Sequence, residues 1–123
     1  MLEYNRKYPF DKRCSSGVNE LITKDQINQV VETIVQNVHP DKVILFGSYA
    51  NGNPGEDSDL DLLVIKDMPQ KRIQRGREIR KYLRGIGIPI DLLVYTPQEI
   101  EEWRDTKAAF ITKIIDQGQV LYG

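Results

Sequence analysis

Long apolar runs are missing from this 123-residue chain, and so are the residues of soft metal chemistry. The longest apolar stretches, "VILF" and "LLVI", fall far short of the roughly 20 residues a membrane span requires. The opening segment "MLEYNRKYPFDKR" lacks the apolar core of a signal peptide, so a cytoplasmic protein without membrane contact is expected. A single cysteine, Cys14, excludes an internal disulfide, and one cysteine with one histidine, His39, cannot build a zinc site unaided. Any metal should therefore be a hard cation on oxygen ligands. With 40% hydrophobic and 28% charged residues, no repeats and no linker, the chain suits one globular domain with one core.

Net charge is also nearly absent, at −1, but the balance hides a sorting. Between residues 71 and 84, "KRIQRGREIRKYLR" sets seven Lys/Arg against Glu78, a local +6; the remaining 10 basic and 17 acidic residues leave −7 elsewhere. Such a block is ordinarily a solvated face, and its alternative use is to dock an acidic partner or to help with phosphate charge. Composition argues against nucleic acid as a partner, because the chain as a whole is acidic and no aromatic stacking platform accompanies the basic block.

Residues 1–22 show no periodicity and read as an arm or irregular lead-in to a domain over 23–123. From Thr23, an N-cap, apolar residues at Ile27, Val30, Val31, Ile34, Val35 and Val38 follow the helical spacing up to Pro40, with His39 at the C-terminus, where the helix dipole explains it. "KVILF" reads as a buried strand closed by a turn at Gly47-Ser48 and one helical turn, and "GNPGEDS" as a loop. "DLDLLVI" (59–65) is a second strand. A helix from Pro69 to about Arg84 follows, with Ile73, Ile79 and Leu83 facing inward and Arg77, Arg80, Lys81 and Arg84 along an outer stripe. "IDLLVY" (90–95) is a third strand. Thr96, Pro97 and Glu99 supply the cap of a last helix whose stripe runs from Ile100 and Trp103 through Phe110 to Ile115, with Trp103 read as core. "QVLY" adds an edge strand. The order predicts a small α/β domain with helices packed on a sheet.

Chemistry concentrates in "ILFGSYANGNPGEDSDLDLLVI", residues 44–65. Strand alternation projects Asp59 and Asp61 from one face, about 7 Å apart at Cα. Asp91 occupies the equivalent place in "IDLL" and joins them if those strands pair. Two carboxylates about 4 Å apart repel by roughly 4 kcal/mol at an effective dielectric of about 20. Three make sense only with a compensating positive charge, which Mg²⁺ provides while keeping positions open for phosphates. Alone, an Asp-x-Asp at a strand start is an ordinary solvent-edge feature, and Gly-Ser is usually only a turn. Together they describe a phosphate cradle of backbone amides beside a metal clamp.

"FGS", ten intervening residues, "DLD" and the later "IDLLV" resemble the signature of the nucleotidyltransferase superfamily related to DNA polymerase β, in its minimal (MNT) form. The resemblance spans roughly residues 24–122 and implies a nucleotidyltransferase fold, a small mixed sheet with helices packed on it. It further implies that Gly47 and Ser48 hold the β and γ phosphates of ATP. Asp59 and Asp61 would bridge two Mg²⁺ ions, and Asp91 would ligate one of them and help deprotonate the acceptor hydroxyl. Stand-alone domains of this kind resemble antitoxins whose partner is a HEPN-domain ribonuclease toxin, with AMP transferred to a toxin tyrosine within a toxin–antitoxin complex. Two other functions stay open: a nucleotidyltransferase acting on a small molecule or an RNA end, and a nucleotide-binding antitoxin that neutralises by binding alone. Tyr49 and Asn51 are expected to border the site, and Lys66 is read as a surface lysine within possible reach of a phosphate.

Overall fold

The computed structural model describes residues 21–55, 58–104 and 110–123 of the chain. Most of the lead-in and the middle of the last helical stretch lie outside the described residues. Packing begins at Ile22, which is buried and whose amide donates to the Tyr49 hydroxyl at 2.9 Å. Helix α1 (Lys24–Val38) starts at Thr23, whose side chain and that of Gln26 cap each other's backbone amides at 3.1 and 2.8 Å. It stops at His39, which adopts the left-handed conformation and returns its amide to Val35. Ile27, Val30, Val31 and Ile34 are wholly buried along one stripe, so the 3.6-residue period decides which face meets the sheet.

Four strands follow: β1 (Lys42–Phe46), β2 (Leu60–Ile65), β3 (Ile90–Tyr95) and β4 (Gln119–Tyr122), in the order β3-β2-β1-β4. β1 is antiparallel to both β2 and β4, whereas β2 and β3 are parallel, giving a mixed α/β architecture. A parallel pair needs a crossover, and α3 (Arg72–Arg80) supplies it. Short α2 (Ser48–Asn51) links β1 to the loop before β2. α4 (Pro97–Trp103) and α5 (Phe110–Gln117) lead into β4. The sheet is covered on both faces. Val43, Leu45, Leu62 and Leu92 pack with α1, Ile79 and Leu83, while Ile44, Leu63 and Ile65 pack with Ile111 and Ile114. Double coverage explains why β2 is almost continuously apolar. No helix among the described residues is long and apolar enough to cross a membrane.

Three expectations change. The basic helix begins at Arg72 rather than Pro69 and tightens into a 3₁₀ turn at Lys81–Leu83. Ile73 is 72% exposed instead of inward-facing. The inward position belongs to Arg75, about 200° around the helix from Ile73. Its guanidinium pairs with Glu99 at 2.7 and 3.2 Å and donates to the carbonyls of Gln70 and Val94. Finally, among the described residues the last helical stretch is two elements, with the join at 105–109 outside them, and the Trp103 and Phe110 side chains are exposed rather than core.

Candidate active site

The fold gathers the predicted carboxylates at one end of the sheet. In the parallel pair Asp61 lies opposite Asp91, and in the antiparallel pair Phe46 lies opposite Asp61. Cross-strand partners share a face, so Phe46, Asp61 and Asp91 form a row across three strands on the side that carries Ile44, Leu63 and Leu93. Asp59 stands just before β2 and is exposed, so strand alternation no longer fixes its direction. Its charge still acts on Asp61. Burial, then Asp91, then Asp59 push the Asp61 carboxyl up to about 6 from the ordinary 3.8.

Gly47 is the N-cap of α2, with φ 79° and ψ −155°, a conformation that only glycine adopts without strain. A Cβ there would collide with the Asp61 carboxylate, so bare backbone lies directly against that group. Ser48 follows as the first residue of α2, where helix geometry leaves the opening amides without partners inside the helix.

Other residues fall elsewhere. Tyr49 does not border the site: it is 6% exposed, packs into the core and holds the Ile22 amide. Asn51 is exposed at the end of α2. Lys66 donates to the His39 carbonyl at 3.1 Å, which ties β2 to the end of α1. It lies five residues along β2 from Asp61, about 17 Å at strand rise, and plays no part at this end of the sheet. Arg75 was legible only as part of the basic block, and Phe46 only as the apolar residue ahead of Gly47. Glu99 was legible only as a cap, although alternation from Ile44 already places Phe46 on the carboxylate face.

The donor set fits a divalent hard cation. Among the described residues none of the three aspartates forms an ion pair, and their mutual repulsion is the cause of the raised Asp61 value after burial. No three acidic, His or Cys side chains among the described residues converge into a ready-made metal cluster. An in-register carboxylate pair with a third at the strand mouth suits Mg²⁺, which is typically held by one or two carboxylates together with substrate phosphates.

The raised Asp61 value predicts a pH dependence for the metal-free protein. Between the unfolded value near 3.8 and the folded value near 6, the folded state binds the extra proton, so stability falls as pH rises through this window. Asp61→Asn should remove that slope and raise the neutral-pH melting midpoint by roughly 2–5 °C. Thermal unfolding in chelator across pH 4–8 checks this; a lower midpoint for Asp61→Asn at pH 7.5 would make the aspartate a structural residue.

Residues 25–121 match the family described as Nucleotidyltransferase domain. Three proteins of Methanocaldococcus jannaschii that carry provisional names as protein adenylyltransferases are similar to the chain. One is 41% identical over 47% of this chain and 43% of its own length, so the chain spans less than half of that relative. The second is 34% identical over 63% of this chain and 75% of its own length, and the third 35% identical over 66% and 77%. In fold, the chain resembles a nucleotidyltransferase, provisionally so named, from Sulfolobus solfataricus, with TM-score 0.51 and 22% identity over 63% of this chain and 70% of the other. It also resembles a mutant of the toxin–antitoxin MntA-HpeT, with TM-score 0.54 and 20% identity over 78% and 72%. The carboxylate row beside a glycine that must lack a side chain sits within the matched span, and the chain belongs to the nucleotidyltransferase domain family.

Proposed function

We propose that this chain is a Mg²⁺-dependent adenylyltransferase that moves AMP from ATP to a tyrosine hydroxyl of a HEPN-type ribonuclease toxin and so acts as its antitoxin. The observation that carries the reading is the pairing of Asp61 with Asp91 directly beside the bare backbone of Gly47. The names of the relatives, protein adenylyltransferases and a toxin–antitoxin pair, support the acceptor class.

In this reading the amides opening α2 and the Ser48 hydroxyl donate to the β and γ phosphates, and the missing Cβ of Gly47 lets backbone approach them. Asp59, Asp61 and Asp91 would hold the divalent cations, two in number by family resemblance, which stabilise charge on the attacking and leaving oxygens. Asp91, exposed near the start of β3, would accept the acceptor's proton. The acceptor oxygen bonds the α-phosphorus, the bond to the β-phosphate oxygen breaks, and pyrophosphate leaves.

The partner's docking face is the basic helix. A groove of about 430 Å³ between α3 and β3 is lined by Arg72, Arg77, Arg80, Ile73 and Leu92, and Leu92 adjoins Asp91. Arg77 and Arg80 form no ion pair among the described residues. An acidic surface with an apolar contact for exposed Ile73 suits such a groove.

The test is to incubate the chain with MgATP and the toxin encoded beside it and to follow intact mass with RNA cleavage. One or more AMP additions to the toxin, rising as cleavage falls, are expected. Charge reversal at Arg77 and Arg80 should weaken the partner complex at least about tenfold and flatten its salt dependence, while ATP binding by the free chain persists. Full inhibition without added mass would contradict transfer and favour neutralisation by binding alone.

A further inference from the structure

Phe110 lies on α5, yet 61% of it is exposed, while the buried stripe of that helix is carried by Ile111 and Ile114. The buried stripe of α5 therefore does not account for an aromatic residue here. Its ring stands edge-on to Phe46, with centroids 5.9 Å apart and an interplanar angle of 82°. Phe46 in turn is the cross-strand partner of Asp61 and the residue immediately before Gly47. Opposed residues of antiparallel strands lie about 4.5–5.5 Å apart at Cα, and alternation puts Phe46 and Asp61 on one face. An exposed aromatic ring is thus braced against the side chain that adjoins both the carboxylate row and the phosphate turn.

We propose that Phe110, held edge-on by Phe46, is the stacking platform for the nucleobase of the bound triphosphate. This rests on reading the Gly47 and Asp61 end of the sheet as a triphosphate site. With the phosphates at the start of α2 and the α-phosphate at Asp61, the ribose spans the short gap toward Phe46, and the base meets the free side of the Phe110 ring. A flat apolar face selects for a π surface and not for any one pattern of hydrogen bonds, so the platform secures affinity while discriminating little among bases.

The experiment compares ATP with inorganic tripolyphosphate, both with Mg²⁺, by titration calorimetry on the whole chain and on Phe110→Ala and Phe110→Trp. Stacking on an aromatic side chain is worth about 1–3 kcal/mol per base, so Phe110→Ala should raise the ATP dissociation constant about 5–160-fold. Tripolyphosphate affinity should stay within about twofold, and Phe110→Trp should retain ATP binding. Because most of the side chain is exposed, loss of the edge contact with Phe46 in Phe110→Ala should lower the melting midpoint by only a few degrees, so both variants stay folded. An unchanged ATP constant, or equal losses for ATP and tripolyphosphate, overturns the platform. A raised KM for the acceptor at unchanged ATP affinity overturns it too, assigning the ring to the acceptor's tyrosine. If the wild-type chain binds neither ligand, the triphosphate reading itself fails and the platform with it.

Discussion

Asp61→Asn and Asp59→Asn should each lower AMP transfer by about 10²–10³-fold or more, the scale on which removal of one group from a preorganised electrostatic site acts. Both variants should remain folded. The reasoning starts from repulsion. Asp61 is held partly buried opposite Asp91, with its carboxyl pushed up to about 6 by burial and by two neighbouring negative charges. A protein that keeps such a group without a described cation partner gives up stability at neutral pH, and a divalent ion restores the balance. Asparagine preserves shape and removes charge, so the chain keeps its core while metal-dependent chemistry disappears. Initial rates at saturating MgATP, with melting curves on the same samples, separate the two effects. Substantial transfer by either variant would show that its carboxylate is dispensable to the reaction.

Gly47→Val should reduce binding of a non-hydrolysable ATP analogue by about 100-fold or more, whereas Ser48→Ala should reduce it only about 3–10-fold. The serine contributes one hydroxyl among several donors, and a single hydrogen bond has a net worth of about 0.5–1.5 kcal/mol. Gly47 contributes an absence. At φ 79° and ψ −155° any side chain is strained by about 1–3 kcal/mol, and its Cβ would drive into the Asp61 carboxylate. Valine therefore displaces a proposed metal ligand and blocks the backbone approach at once. Because strain alone can unfold a marginal domain, calorimetry is paired with circular dichroism, and Gly47→Ala serves as the milder variant. Equal losses for a folded Gly47→Ala and Ser48→Ala would argue against a backbone cradle.

The elements most legible in the sequence are those whose cause is local. Thr23 with Gln26, and Thr96 with Glu99, carry both halves of a capping box within four residues, and both boxes form. The α1 stripe is legible because one helix face meets one sheet face. Asp61 and Asp91 could be paired in advance because each stands one residue ahead of an apolar run, so matching the runs matches the carboxylates. What local pattern misses has a non-local cause. Arg75 takes the inward position of α3 because Glu99, 24 residues away, and the Val94 carbonyl receive it, which turns Ile73 outward. The apolar stripe from Ile100 to Ile115 read as one helix, but α4 ends at Trp103, whose carbonyl accepts from the Thr112 hydroxyl of α5, a contact between elements that periodicity does not register. Asp59 looked equivalent to Asp61, but the ladder starts at Leu60, leaving Asp59 outside the alternation that governs its neighbour.

Adenylyl transfer, as proposed for this chain, moves the α-phosphoryl group together with its nucleoside, so the position of a label measures it directly. ATP radiolabelled at either the α or the γ phosphate is supplied with Mg²⁺ to the chain and its partner toxin, and both protein and released phosphates are counted. The α label should appear on the toxin in step with γ label in free pyrophosphate, and both should be lost in Asp61→Asn. Label on the toxin from the γ position, or silencing of the toxin with no label from either position, would contradict adenylyl transfer.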